Sequence, residues 1–139
     1  VGSAEVILLD THAAVWVAVD NRALGKHSEQ ILKKAVRAGE LAVSAISFWE
    51  IALLVTRRRL RRLDSVRELR ERLLKQGTIE LPLTGEIAVL AGELESLHNG
   101  DPADRFIAAT AIVHDATLVT ADEKLLRWRH SVRRQNAKL

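Results

Sequence analysis

Short apolar runs, set apart by helix-length segments, constrain this chain more than any other feature. Val6-Ile7-Leu8-Leu9 is a continuous apolar run that reads as a buried strand, and Leu41-Ala42-Val43-Ser44, Thr78–Leu81 before Pro82, and Thr117-Leu118-Val119-Thr120 read as further short strands. Together they suit a mainly parallel sheet. The segments between them carry helical signals. Ile31, Leu32, Ala35 and Val36 repeat at helical spacing before Gly39, a C-terminal stop. Val66, Leu69, Leu73 and Leu74 form one side of another helix, closed by Gly77, and residues 84–97 form a third. Ser47 and Glu50 match a capping box, as do Thr120 and Glu123. Asp101, Pro102 and Asp104 fit the N-cap, N1 and N3 positions of a further helix. Thr11 and Ser28 are expected to open the first two helices. Asn21–Gly25 and Asn99-Gly100 are expected to turn, and residues 130–134 to add a weak edge strand. Strands alternating with helices specify an α/β fold.

The 139 residues suit one domain over 1–139. An apolar share of 47% excludes intrinsic disorder. Thr11–Val19, Leu41–Trp49 and Phe106–His114 are the longest uncharged runs, and about 18–20 such residues are needed to span a bilayer. No membrane partner and no signal peptide are expected. The absence of cysteine excludes disulfides, thiolate metal sites and cysteine nucleophiles, and fits a reducing cytoplasm. Methionine is absent too, so Val1-Gly2-Ser3 reads as an expression scar. The Walker, dinucleotide-binding, nucleophile-elbow and zinc-peptidase motifs are all missing.

Charge is segregated along the chain. Residues 57–75 hold nine Arg and Lys against three acids, 76–123 hold one against nine, and 124–139 hold six against none. Solvated helix faces explain such blocks equally well. An acidic centre rimmed by basic surface would suit a metal-dependent enzyme acting on a polyanion.

Sites in parallel α/β folds lie beyond the C-terminal ends of the strands. Asp10 and Asp122 follow strands, and Glu50 and Asp104 fall in first turns of helices. Four convergent carboxylates would repel one another, and Mg²⁺ or Mn²⁺ removes that penalty. Bound ions of this kind serve phosphodiester hydrolysis. Each acid also has a structural reading. Glu50 can be the partner of Ser47, Asp104 and Asp101 can be caps, and Glu123 can serve Thr120, which leaves Asp122 free. Asp10 has no evident structural task, and His12 reads as a pocket-edge or core imidazole. A non-catalytic basic RNA-binding module, with the acids as caps only, stays open on these grounds.

Leu8-Leu9-Asp10-Thr11-His12, Ser44-x-x-Ser47-x-x-Glu50, Asp101 through Ala111 and Leu118-Val119-Thr120-Ala121-Asp122 together resemble a PIN domain. More narrowly they resemble the VapC-type toxins of bacterial toxin–antitoxin pairs. The likeness spans residues 6 to about 126. It implies a three-layer α/β/α domain with a mainly parallel central sheet of four to five strands. It implies an endoribonuclease that uses Asp10, Glu50, Asp104 and Asp122 to hold Mg²⁺ or Mn²⁺, with Thr11, Asp101 and Thr120 in support. The expected substrate is RNA, tRNA or rRNA above all, cut by direct hydrolysis to leave a 5′-phosphate. Expected partners are a VapB-like antitoxin, which inserts Arg or Lys into the acidic pocket, and a second copy, giving a homodimer or a toxin–antitoxin hetero-oligomer. The dimer face is sought among apolar positions of residues 28–38 and 47–56. A same-fold alternative is an RNA-processing nuclease without an antitoxin. Arg57, Arg58, Arg59, Arg61, Arg62, Arg127, Arg129, Arg133 and Arg134 are candidate RNA backbone contacts. The basic tail, 127–139, departs from the family's apolar final strand, and its structure is left open.

Overall fold

The computed structural model describes residues 5–19, 22–57, 65–97 and 101–139, apart from the Ser96 side chain. Val1-Gly2-Ser3, Asn21, Arg58, Arg59, Arg61, Arg62 and the Asn99-Gly100 turn lie outside the described residues. Five strands form one sheet: β1 (Ile7–Leu9), β2 (Leu41–Ser44), β3 (Ile79–Leu81), β4 (Thr117–Thr120) and β5 (Arg134–Asn136). Their order is β3-β2-β1-β4-β5 and every pairing is parallel. Leu9 pairs with Val43 on one side and Val119 on the other. Strand order therefore reverses between β1 and β4, the place where α/β sheets open a crevice.

The two-residue period of the strands divides the core. Ile7, Leu9, Leu41, Val43 and Val119 face α1 (Thr11–Val19), α2 (Lys26–Ala38) and α4 (Val66–Lys75). Leu8, Ala42 and Leu118 face the other way, against α6 (Pro102–Val113) and the end of α7 (Glu123–Arg127). Helix α5 (Gly85–Glu93) packs on α6 through Ile87, Ala91 and Ala109. Helix α3 (Ala45–Thr56) runs between the layers and contacts α1, α4 and α6. The result is the three-layer α/β/α sandwich that the family resemblance implies, with all five strands parallel. Among the described residues, no helix is long and apolar enough to cross a membrane.

Several helix starts differ from the sequence reading, each for a local reason. The first helix is capped by Asp10, not Thr11, because Asp10 Oδ1 accepts from the Ala13 N–H at 2.9 Å. Gly25 opens α2, and Ser28 is buried, donating to the Asn136 carbonyl at 2.9 Å. Ser44 caps α3 by accepting from the Ile46 N–H, which places Ser47 inside the helix and removes the proposed capping box. Asp122, not Thr120, caps α7. The helix predicted over 84–97 ends at Glu93, and a 3₁₀ turn, Glu95–Leu97, follows.

The basic tail folds. Its strand lies at Arg134–Asn136, later than the expected 130–134, and pairs with β4. Arg134 fixes it by donating to the carbonyls of Leu125, Trp128 and His130. The last residues then run against the start of α2, with Gly25 N–H donating to Ala137 O and His27 N–H to Leu139 O, both at 2.9 Å. A Cβ on Gly25 would overlap the backbone of Lys138 and Leu139.

Candidate active site

The C-terminal ends of β1 and β4 deliver Asp10 and Thr120 to the switch point, and four helix N-termini meet there. Asp10 caps α1, Ser44 caps α3, Asp101 caps α6 through the Ala103 N–H at 3.1 Å, and Asp122 caps α7 through the Lys124 N–H at 2.8 Å. Partial positive charge at these ends favours the carboxylates gathered there. Asp10, Thr11, His12, Glu50, Asp101, Asp104, Asp122 and Lys124 line one cavity of about 250 Å³. All four predicted acids and two of the three predicted supporting residues are thus brought together. The third, Thr120, is fully buried beneath and donates to Asp10 Oδ2.

Capping and lining the cavity are not alternatives here. Asp10, Asp101 and Asp122 each spend an oxygen on a backbone N–H and still line the cavity. Glu50, freed of a capping role, turns into the same space. Asp104 sits at N3 of α6 and lines it too. Asp122 is held further by the Thr120 hydroxyl, which accepts its N–H at 3.0 Å.

Electrostatics record the crowding. Burial pushes the Asp10 carboxyl up, against the Thr120 hydroxyl, the Ala13 N–H and the nearby His12 charge, which pull it down. Burial also raises Glu50 to about 7; the Thr11 hydroxyl opposes the rise, while a hydrogen bond that protonated Glu50 donates to Asp101 and the charges of Asp101 and Asp104 reinforce it. Asp104 is raised to about 7 by burial and then by Asp122, Asp101 and Asp10, with Lys124 acting in the opposite direction. Among the described residues, no three His, Asp or Glu side chains are drawn into a closed metal cage. Like charge and desolvation both oppose closer approach of bare carboxylates.

Sequence reasoning missed Ser47 and Lys124. Ser47 is fully buried and hydrogen-bonded to Thr11 at 3.2 Å, supporting the cavity wall beside Glu50. Lys124 stands two positions after Asp122 in a helical first turn, a spacing that already places it at the rim. Two candidate RNA contacts are instead committed to the fold: Arg133 binds Asp115 and Thr117 at the opposite end of β4, and Arg134 is spent on backbone carbonyls. Arg127 pairs with Glu123 at 3.1 Å, but both are exposed.

The chain is similar to known proteins over most of its length. Over 128 residues the chain is 38% identical to Ribonuclease VapC22 of Mycobacterium tuberculosis, covering 89% of this chain and 92% of that protein. The DNA-bound VapBC structure from Salmonella typhimurium superposes with a TM-score of 0.68 at 16% identity, covering 94% of this chain and 97% of that one, a likeness of fold. FitAcB from Neisseria gonorrhoeae gives 0.60 at 26% identity, with the same coverage. A family model of the PIN domain matches residues 7–130. The strand order, the acid-lined switch point and these matches agree, and the chain belongs to the PIN-domain family.

Proposed function

We propose that this chain is a VapC-type toxin, a Mg²⁺- or Mn²⁺-dependent endoribonuclease that hydrolyses RNA phosphodiester bonds at the Asp10, Glu50, Asp104 and Asp122 cluster. The observation that carries the reading is the gathering of five carboxylates in one cavity, two of them raised to about 7. A fold does not retain such repulsion for stability; it suits a site completed by a cation. The donor set fits that cation, since all the acids offer hard oxygen ligands and no sulfur is present.

Asp10, Glu50, Asp104 and Asp122 would hold the ion, which when bound supplies charge to polarise the phosphoryl oxygen and activate water. The chain's own groups do the rest. Thr120 and the Ala13 N–H fix the Asp10 carboxylate between them, so its direction is set before any ligand arrives. Thr11 and Ser47 hold the wall on which Glu50 stands, and Glu50 orients the attacking water. Water attacks phosphorus in line, the bond to the 3′ oxygen breaks, and a 5′-phosphate is left. No 2′-hydroxyl takes part, so preference for RNA, tRNA or rRNA above all, must come from binding contacts. A VapB-like antitoxin would silence the site by placing an Arg or Lys among the carboxylates, and toxin and antitoxin would work in the cytoplasm as a hetero-oligomer.

End-labelled RNA, including tRNA and rRNA, incubated with the protein in Mg²⁺ or Mn²⁺ and in EDTA tests the reading. Cleavage is expected only with metal, with a loss of roughly a hundredfold or more in Asp10→Asn and Glu50→Gln, as for other groups acting directly on transition-state charge. Cleavage that survives chelation in both variants would overturn it.

A further inference from the structure

Lys124 is the one Lys or Arg among the eight residues lining the acidic cavity. Its backbone is pinned to the site, because its N–H donates to Asp122 Oδ1 at 2.8 Å. Its side chain is exposed, and no ion pair engages it among the described residues, although five carboxylates line the same cavity. Its charge nevertheless reaches the cluster, where it acts on Asp104.

Four other cations nearby are occupied, and Arg129, which is exposed, does not line the cavity. Arg105 donates to the Gly92 carbonyl at 2.9 Å, Arg127 pairs with Glu123, Arg133 with Asp115, and Arg134 binds three carbonyls. A phosphate approaching five carboxylates meets repulsion that a divalent ion only partly offsets. The mouth of the cavity therefore needs a positive group not already neutralised by the protein. A lysine ammonium, compact and on a flexible stem, can follow a phosphate through reaction without a fixed fork geometry.

We propose that Lys124 is the phosphate-positioning residue of this site, holding a non-bridging oxygen of the RNA phosphate that the carboxylates address. The inference rests on the nuclease reading and adds an RNA contact to it. It makes two predictions of opposite sign. Loss of the Lys124 charge should weaken RNA binding, and should tighten binding of the divalent ion by leaving the carboxylates more negative.

Wild type, Lys124→Gln and Lys124→Arg are compared, with thermal melts to establish folding. Binding of a fluorescent single-stranded RNA 20-mer is followed by anisotropy in Ca²⁺ over a KCl series, and Mn²⁺ binding by electron paramagnetic resonance without RNA. Lys124→Gln should bind RNA roughly threefold more weakly, the scale of an exposed ion pair. Its log–log salt slope should be shallower by about 0.7, one phosphate contact to a single strand. It should hold Mn²⁺ about two- to fivefold more tightly, from removal of one screened charge acting on a divalent ion. Lys124→Arg should match wild type in both. An unchanged RNA slope in folded Lys124→Gln overturns the phosphate role while leaving the nuclease reading intact. Wild type that binds RNA in a Lys124-dependent way but never cleaves in Mg²⁺ or Mn²⁺ supports the contact and fails the nuclease reading. Wild type that binds no RNA overturns both.

Discussion

Asp10, Asp101 and Asp122 each combine two duties, capping a helix and lining the cavity, whereas Asp104 and Glu50 have only the second. Substitution should separate the two groups. Asp104→Asn removes a repelled charge from a cluster that raises it to about 7, so it should abolish cleavage yet raise the melting temperature in EDTA at pH 8. At the capping acids, Asn keeps an oxygen for the backbone N–H, and Ala does not. Asp122→Asn should therefore melt close to wild type, and Asp122→Ala should lose about 1 kcal/mol or more. The same cluster sets the pH response. Asp10, Glu50 and Asp104 titrate higher in the folded chain than unfolded. The folded state then holds extra protons between about pH 4 and 7, so metal-free stability should fall as pH rises through that window. Melts in EDTA at pH 5, 6, 7 and 8 check the sign, and Mg²⁺ or Mn²⁺ should flatten the curve by binding only the folded form.

At the scale of elements, the C-terminal segment is held by few residues that do much. Arg134 satisfies three carbonyls where α7 ends and lies 6.0 Å over the Trp128 ring, on which His130 stacks at 4.4 Å. Arg134→Ala should cost about 2–4 kcal/mol, since it orphans those carbonyls as well as removing a cation. Gly25→Ala should be comparably harmful, because its Cβ meets backbone that cannot swing aside. Chemical denaturation measures both. This segment was also where the sequence was least informative. Arg134, Gln135 and Asn136 carry no apolar alternation, and their pairing depends on side-chain bonds from distant elements, Ser28 among them. Strands β1, β2 and β4, by contrast, were legible because both of their faces are covered, whereas β3 is an edge strand with Ile79 exposed. Three of the four cap errors share one cause: Ser, Thr and Asp stand within three residues of each other at Asp10-Thr11, Ser44/Ser47 and Thr120/Asp122, and spacing alone does not choose among them. The convergence of the acids was readable from strand ends and helix first turns, but the buried serine beside Glu50 follows only from packing.

At the scale of the whole molecule, α3 is apolar on every face apart from Ser47, Glu50 and Thr56, a pattern of helices buried all round. Yet only Ser47 and Ile51 of α3 are fully buried, and Trp49 is 50% exposed beside Glu50. A second copy covering this helix would account for the pattern, in keeping with the expected homodimer. Trp49→Glu should shift the protein to monomer in light scattering, with an unchanged melt of the monomeric fold; a dimer that survives would place the interface elsewhere. The sheet order carries a further consequence. The central strand β1 is flanked by β2 and by β4, and the cavity needs Asp10 from the first strand and Asp122 from beyond the fourth. During synthesis the ribosome must release the chain through Asp122 before those two residues can meet. On the proposed reading, the carboxylate cluster cannot act before that moment, and an antitoxin translated alongside would have that interval in which to arrive.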